Sequence, residues 1–167
     1  MAVEPAVLHC LCGKPAAGKS TLCAELSRDA GTIALSEDVW LDALYGEEMS
    51  TLSDFVRCSD KLRYAVGPHV VALLERGLSV ILDFHANTVE ARLWMRRLAD
   101  AAGVECKLHY LDVPDDLCRI RLAARRARGD HPFNVTPAQF DGVVAHFVPP
   151  TEAEGITIIR HAPPETL

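Results

Sequence analysis

The sequence predicts an α/β fold in which a parallel sheet is covered by helices on both faces. Three observations carry it. Short apolar runs alternate with segments of helical periodicity along the 167 residues. A G-x-x-x-x-G-K-[ST] stretch stands between the first run and the first helix. The composition, 49% hydrophobic and 24% charged, is globular and neither disordered nor collagen-like.

The elements follow in order. Residues 6–12 (AVLHCLC) form a buried strand, and 19–30 (KSTLCAELSRDA) a helix that stops at Gly31. Residues 32–36 (TIALS) give a second strand, followed by an irregular polar stretch. Over 60–76, Leu62, Ala65, Val66, Val70, Leu73 and Leu74 recur at helical spacing and Gly77 caps the end, while Pro68 predicts a break or kink. Residues 79–83 (SVILD) form a third strand, 88–102 a helix closed by Gly103, and 105–112 (ECKLHYLD) a fourth strand. Pro114 opens an Arg-rich helix to Arg128, because proline suits a first helical turn. Thr136-Pro137 opens another helix to about Phe147, and 156–160 (ITIIR) is the fifth strand. With no repeat or linker, the expectation is one domain over 1–167.

Charge and cysteine usage narrow the function classes. The formal net charge of −6 opposes binding of a polyanion such as nucleic acid unless the basic residues cluster. None of the six cysteines (Cys10, Cys12, Cys23, Cys58, Cys106, Cys118) forms a C-x-x-C pair, and Cys10 and Cys12 read as small buried hydrophobes on one strand face. The opening MAVEPAVLHCLC has no basic segment before its apolar run, so neither a signal peptide nor a membrane span is expected. A reduced, cytoplasmic protein, monomeric or a small homo-oligomer, is the resulting expectation.

Gly13, Lys14, Pro15, Ala16, Ala17, Gly18, Lys19 and Ser20 compose a phosphate-binding loop, and its place between strand and helix is what the mechanism requires. Backbone N–H groups must wrap the anion closely, so the glycines supply room and dihedral freedom while the helix N-terminus adds partial positive charge. Lys19 is positioned for the β- and γ-phosphates, Ser20 for Mg²⁺ and Thr21 for the α-phosphate. Asp83, ending the third strand, emerges at the carboxyl edge where such sheets bind ligands and is the second candidate for Mg²⁺.

The loop alone does not identify the group that receives the phosphate. Asp38 follows the second strand at the same edge, where a kinase needs a carboxylate to orient an acceptor hydroxyl and take its proton; Glu37 is the neighbouring competitor. Arg119, Arg121, Arg125, Arg126 and Arg128 crowd ten positions and suggest a basic lid over about 119–135, with Arg121, Arg125 and Arg128 near one helical face. His85 and Asn87 are candidates for lining the acceptor site. Trp40, Leu41, Leu44 and Tyr45 suit a partly apolar acceptor pocket or, equally, helix packing. The 147–152 segment (FVPPTE) reads as a proline-stiffened connection or a loop that closes over the ligand.

GKPAAGKST, SEDVW, VILDFHANTVEARLW and HYLDVPDDLCRIRLAARRARG together resemble the stand-alone bacterial P-loop kinases that group with zeta toxins, chloramphenicol phosphotransferase and the kinase domain of polynucleotide kinase. The resemblance spans most of the chain. It implies Lys19 and Ser20 at phosphate and Mg²⁺, Asp38 as general base, Asp83 near metal or acceptor, and Arg125 or Arg128 as the lid arginine. It also relates Asp83, Asn87, Thr88 and Arg92 to a segment in which a strand-ending Asp precedes an Arg-bearing helix. Polynucleotide kinases of this pattern carry an Arg three positions beyond the base, where this chain has Leu41, which disfavours a polynucleotide acceptor. The fold implied is the P-loop nucleoside-triphosphate-hydrolase fold with strand order 2-3-1-4-5. The expected activity is transfer of the γ-phosphoryl group of Mg-ATP to a hydroxyl of an unidentified small molecule, with ATP implied by the resemblance and no N-K-x-D guanine-reading pattern present. A polynucleotide 5′-hydroxyl kinase and a nucleotide-dependent switch ATPase are the alternatives.

Overall fold

The structure is a computed structural model that describes residues 5–129 and 135–163. Five strands, β1 (Val7–Cys12), β2 (Thr32–Ser36), β3 (Ser79–Asp83), β4 (Glu105–Leu111) and β5 (Thr157–His161), form one parallel sheet in the order β2-β3-β1-β4-β5. This is the order expected. Parallel pairing places every strand's carboxyl end on one edge, and the register aligns Ser36 with Asp83 there.

The helices are α1 (Lys19–Leu26), α2 (Glu37–Tyr45), α3 (Leu52–Glu75), α4 (Val89–Ala102), α5 (Asp115–Arg128) and α6 (Pro137–His146). One sheet face, built from Leu8, Cys10, Cys12, Val80, Leu82, Cys106 and Leu108, packs on Leu62, Val66, Val70 and Leu74 of α3 and Met95 and Ala99 of α4. A smaller core joins Ala17, Leu111, Val113, Cys118 of α5 and Phe140 of α6, with Leu22 of α1 against it. Cys10 and Cys12 lie in the larger core, as expected of small hydrophobes, and all six cysteines are free thiols. Among the described residues no helix is long and apolar enough to cross a membrane.

Four expectations are corrected. The stretch after β2 is not irregular: α2 starts directly at Glu37, and α3 begins at Leu52 behind a reciprocal cap in which Asp54 N–H donates to Thr51 Oγ1 and Thr51 N–H donates to Asp54. Pro68 does not end the helix either. Pro68 is exposed, and the buried positions Leu62, Val66, Val70 and Leu74 continue on both sides of it, so packing outweighs the one lost backbone hydrogen bond. Gly67 beside it brings α3 close to α4, where an added Cβ would lie 3.4 Å from Leu98. The first helix is shorter than expected, ending at Leu26, and Ser27 Oγ donates to Cys23 O at its end. Pro114 occupies the position just before α5 rather than its first turn.

Candidate functional site at the phosphate-binding loop

The loop between β1 and α1 is shaped for an anion. Ala16 (φ 62°) and Gly18 (φ 110°) adopt left-handed backbone conformations, which turn successive N–H groups inward, and α1 begins at the next residue. Ala16 pays steric strain for this, since a non-glycine residue rarely sits there. Gly13 is required by space: a Cβ would lie 3.2 Å from Ala17 Cβ and Leu111 Cβ and 3.3 Å from Leu111 O. Its N–H donates to Asn87 Oδ1 (3.2 Å), tying the loop to the segment after β3.

A cavity of about 170 Å³ at the carboxyl edge is lined by Lys19, Ser20 and Thr21 of α1, Asp38 of α2, Asp83, His85 and Asn87 at and beyond the end of β3, and Arg125 of α5. Four chain segments thus deliver their polar groups to one place because the parallel strands that precede them, β1 to β4, end at one edge. Lys19 Nζ donates to the loop carbonyls of Gly13 (2.7 Å) and Lys14 (3.1 Å). Burial lowers the Lys19 pKa, against the opposing pull of Asp83 and Asp38. Burial likewise raises that of Asp83, with Lys19 drawing it down and Asp38 pushing it further up. Phosphates are the ligands whose chemistry matches the loop N–H groups and Lys19.

A second cavity of about 540 Å³ adjoins the loop between α1, α5 and the end of β5, lined among others by Leu22, Leu111, Val113, Arg121, Arg125, Arg128 and His161. Arg121 Nη1 approaches the carbonyl of Ala16 at 3.4 Å. Arg119 instead pairs with Asp141 (2.5 Å) and stacks over Phe140, and Arg126 donates to Val135 O (2.9 Å), so two of the five arginines anchor α5 to the α6 region. The spacing argument for Arg121, Arg125 and Arg128 on one face agrees with their common cavity. The remainder of the expected lid, residues 130–134, lies outside the described residues.

Other candidates are placed differently. The Lys14 ammonium turns away from the loop to Val113 O (3.1 Å) and the Asp115 carboxylate, leaving its backbone in the cradle. Trp40 is 38% exposed on α2 and Leu44 more so, while Leu41 is buried in the core; neither Trp40, Leu41, Leu44 nor Tyr45 lines either cavity. The position where a polynucleotide kinase would present an arginine is therefore a core position here.

Two polar centres were not legible beforehand. Glu37 is fully buried and accepts from Ser59 Oγ (2.5 Å), Arg63 Nε (3.2 Å), His85 N–H (3.0 Å) and His85 Nδ1 (2.7 Å). Burial would raise its pKa, but the His85 hydrogen bonds and the Arg63 charge outweigh this and bring it to about 2. Its oxygens are committed, which leaves Asp38 as the carboxylate of this pair that lines the cavity. Arg92 of α4 is also fully buried, held by Glu154 and by the carbonyls of Ala86 (3.0 Å) and Val148 (2.9 Å). It fixes the segment carrying His85 and Asn87 against the 147–152 connection, whose Val148 N–H also donates to Asn87 O.

The profile of the AAA domain family matches residues 8–150. No curated protein matches the chain. Among solved structures, a Chloroflexus aurantiacus protein provisionally named a kinase superposes with a TM-score of 0.72 at 21% identity, covering 97% of this chain and 87% of that one. A sugar kinase from Janibacter sp. gives a TM-score of 0.67 at 15% identity over 95% and 86% of the two chains. The Mycobacterium tuberculosis APS kinase CysC, in complex with AMPPNP and APS, gives 0.64 at 19% identity over 97% and 91%. The chain belongs to the AAA domain family, with the fold of a P-loop kinase-like protein.

Proposed function

We propose that the chain is an ATP-dependent phosphotransferase that moves the γ-phosphoryl group of Mg-ATP to a hydroxyl group of a small molecule. The single observation that carries this reading is the convergence of Lys19, Ser20, Asp38 and Asp83 on one cavity beside the anion-binding loop. A pure nucleotide switch has no need of a carboxylate across the cleft from the phosphate-binding lysine, whereas a kinase uses it for the acceptor. The similarity to an APS kinase complexed with AMPPNP supports a nucleoside triphosphate as donor.

The loop N–H groups and Lys19 hold the β- and γ-phosphates. Ser20 and Asp83 would hold Mg²⁺, which supplies charge neutralisation when bound. Asp38 orients the acceptor hydroxyl and takes its proton, Arg125, which lines both cavities, spreads the charge that builds on the transferring group, and Arg121 and Arg128 face the nucleotide from the larger cavity. The larger cavity, with its apolar Leu22, Leu111 and Val113, takes the nucleoside.

Incubation with γ-labelled ATP and a panel of sugars, nucleosides, antibiotics and 5′-hydroxyl oligonucleotides tests the reading. Label should move to a small-molecule hydroxyl, and Lys19→Ala should abolish the transfer. Tight nucleotide binding with no acceptor labelled would overturn it in favour of a switch ATPase.

A further inference from the structure

The acceptor side of the cleft has a composition that selects a substrate class. Of the residues lining the smaller cavity, the cationic ones are Lys19 and Arg125, both on the phosphate side at the loop and α5. The groups contributed from the ends of β2 and β3 are Asp38, Asp83, His85 and Asn87. The nearby Arg63 is already committed to Glu37 Oε1 and His85 O, with its guanidinium over the Trp94 ring at 5.2 Å. Arg92 is committed to Glu154. An acceptor bearing its own phosphate or sulfate would thus meet carboxylates with, among the described residues, no spare arginine or lysine on that wall.

His85 is held in one orientation. Its backbone N–H and its Nδ1 both reach Glu37 Oε2, at 3.0 and 2.7 Å, while Phe55 packs edge-on against the ring at 5.8 Å. Because the carboxylate can only accept, Nδ1 carries a proton, and Nε2 is the ring nitrogen left for a ligand. The ring is half exposed, at 49%, and lines the cavity. Asn87 uses Oδ1 for Gly13 N–H, so its amide NH₂ is its remaining group for a ligand. The acceptor wall therefore offers three hydrogen-bonding groups to a ligand: the Asp38 carboxylate, His85 Nε2 and the Asn87 amide.

Resting on the phosphotransferase reading, we infer that the acceptor is an uncharged polyhydroxy compound with neighbouring hydroxyl groups, one donating to Asp38 and the next hydrogen-bonded to Nε2 of His85, and that Glu37 is the positioning residue for His85. The hydroxyl oxygen on Asp38 forms the new bond to the γ-phosphorus as its proton passes to the Asp38 carboxylate. The bond between that phosphorus and the β,γ-bridging oxygen breaks, and ADP leaves with the electron pair. The hydroxyl on His85 does not react; it sets the register of the acceptor.

The test uses the full chain with γ-labelled Mg-ATP and three acceptor arms: glucose, myo-inositol, glycerol and adenosine; deoxy counterparts lacking one hydroxyl of a neighbouring pair; and the anions glucose 6-phosphate, 3-phosphoglycerate and a 5′-hydroxyl oligonucleotide. Label is expected in the first arm, with kcat/KM lower by about tenfold for the matching deoxy compound, the effect of one lost hydrogen bond to the acceptor wall. His85→Ala should raise the acceptor KM about tenfold with a smaller change in kcat, and His85→Gln, which keeps an acceptor atom, should recover part of the loss. Glu37→Gln should shift KM in the same direction while the Kd for ATP stays near the parent's; if that variant does not fold, the His85 pair decides. Equal use of diol and deoxy compounds, an unchanged KM in His85→Ala, or label confined to the anionic arm would overturn the inference and leave the kinase reading standing. No label in any arm would overturn both.

Discussion

Arg92 and Glu154 face each other as a two-pronged ion pair, Nε to Oε2 at 2.6 Å and Nη2 to Oε1 at 2.9 Å, across 62 residues of sequence. Arg92 is fully buried, so removing Glu154 strands a desolvated guanidinium. Glu154→Ala is expected to cost about 3–5 kcal/mol of stability, read from urea denaturation midpoints. Arg92→Met should cost less than Arg92→Ala, because methionine refills the volume that the Ala86 and Val148 carbonyls surround.

Glycines of the chain should respond to alanine according to their surroundings. Gly13→Ala forces Ala17 or Leu111 to move by a few tenths of an ångström and should lower stability by about 1–2 kcal/mol and weaken ATP binding. Gly142→Ala, inside α6 with open space around it, should raise stability by about 0.5–1 kcal/mol. Calorimetry on both variants checks the contrast.

Neighbouring carboxylates should separate cleanly. Asp38 is exposed, so Asp38→Asn should leave the melting temperature near the parent's while phosphoryl transfer falls by about 10²–10⁴-fold. Glu37 has its folded-state pKa lowered to about 2, so its contribution to stability is present above its unfolded value and is lost as pH falls through about 2. Glu37→Gln should therefore lose stability at neutral pH. Parallel melting curves and transfer assays measure both.

A row of stacked histidines crosses the sheet. His9 Nδ1 lies 2.9 Å from His109 Nε2, and His109 Nδ1 lies 3.0 Å from His161 Nε2. Burial, reinforced by His9, His161 and Lys107, lowers His109 to about 4. His9 is lowered too, by burial and Lys107, with Asp29 and Glu105 opposing. Since the folded pKa of His109 is depressed, the unfolded chain takes up the proton first, and stability falls as pH drops from about 6.5 to about 4, by up to roughly 3 kcal/mol. His109→Gln should flatten that slope, measurable as urea midpoints between pH 7 and pH 4.5.

How much of this was legible in the sequence follows from how far apart the relevant residues lie. The loop at 13–20 and its flanking strand and helix could be read because the motif is contiguous, and Asp83 and Asp38 because each ends or follows a strand whose direction the alternating pattern dictates. The cap at Thr51 and Asp54, three residues apart, was a local signal for α3 that the hydrophobic periodicity from residue 60 onward obscured. The break expected at Pro68 does not occur because the local helix-breaking rule competes with four buried side chains that only the packed structure supplies.

By itself the sequence determined the parallel α/β fold, the anion-binding loop and the carboxylates at its edge, since these depend on periodicity and short spacing, while the strand order was implied by the resemblance to P-loop kinases. Tertiary structure alone decided that Glu37 is a buried hub rather than a free base, that Trp40 stays outside the cavities, and that Arg92 finds Glu154 and His109 finds His9 and His161. Those partners are 22 to 100 residues apart in the chain. Which of them meet is set by strand order, register and helix packing together, and a hydrogen bond depends on tenths of an ångström that no residue pattern encodes locally.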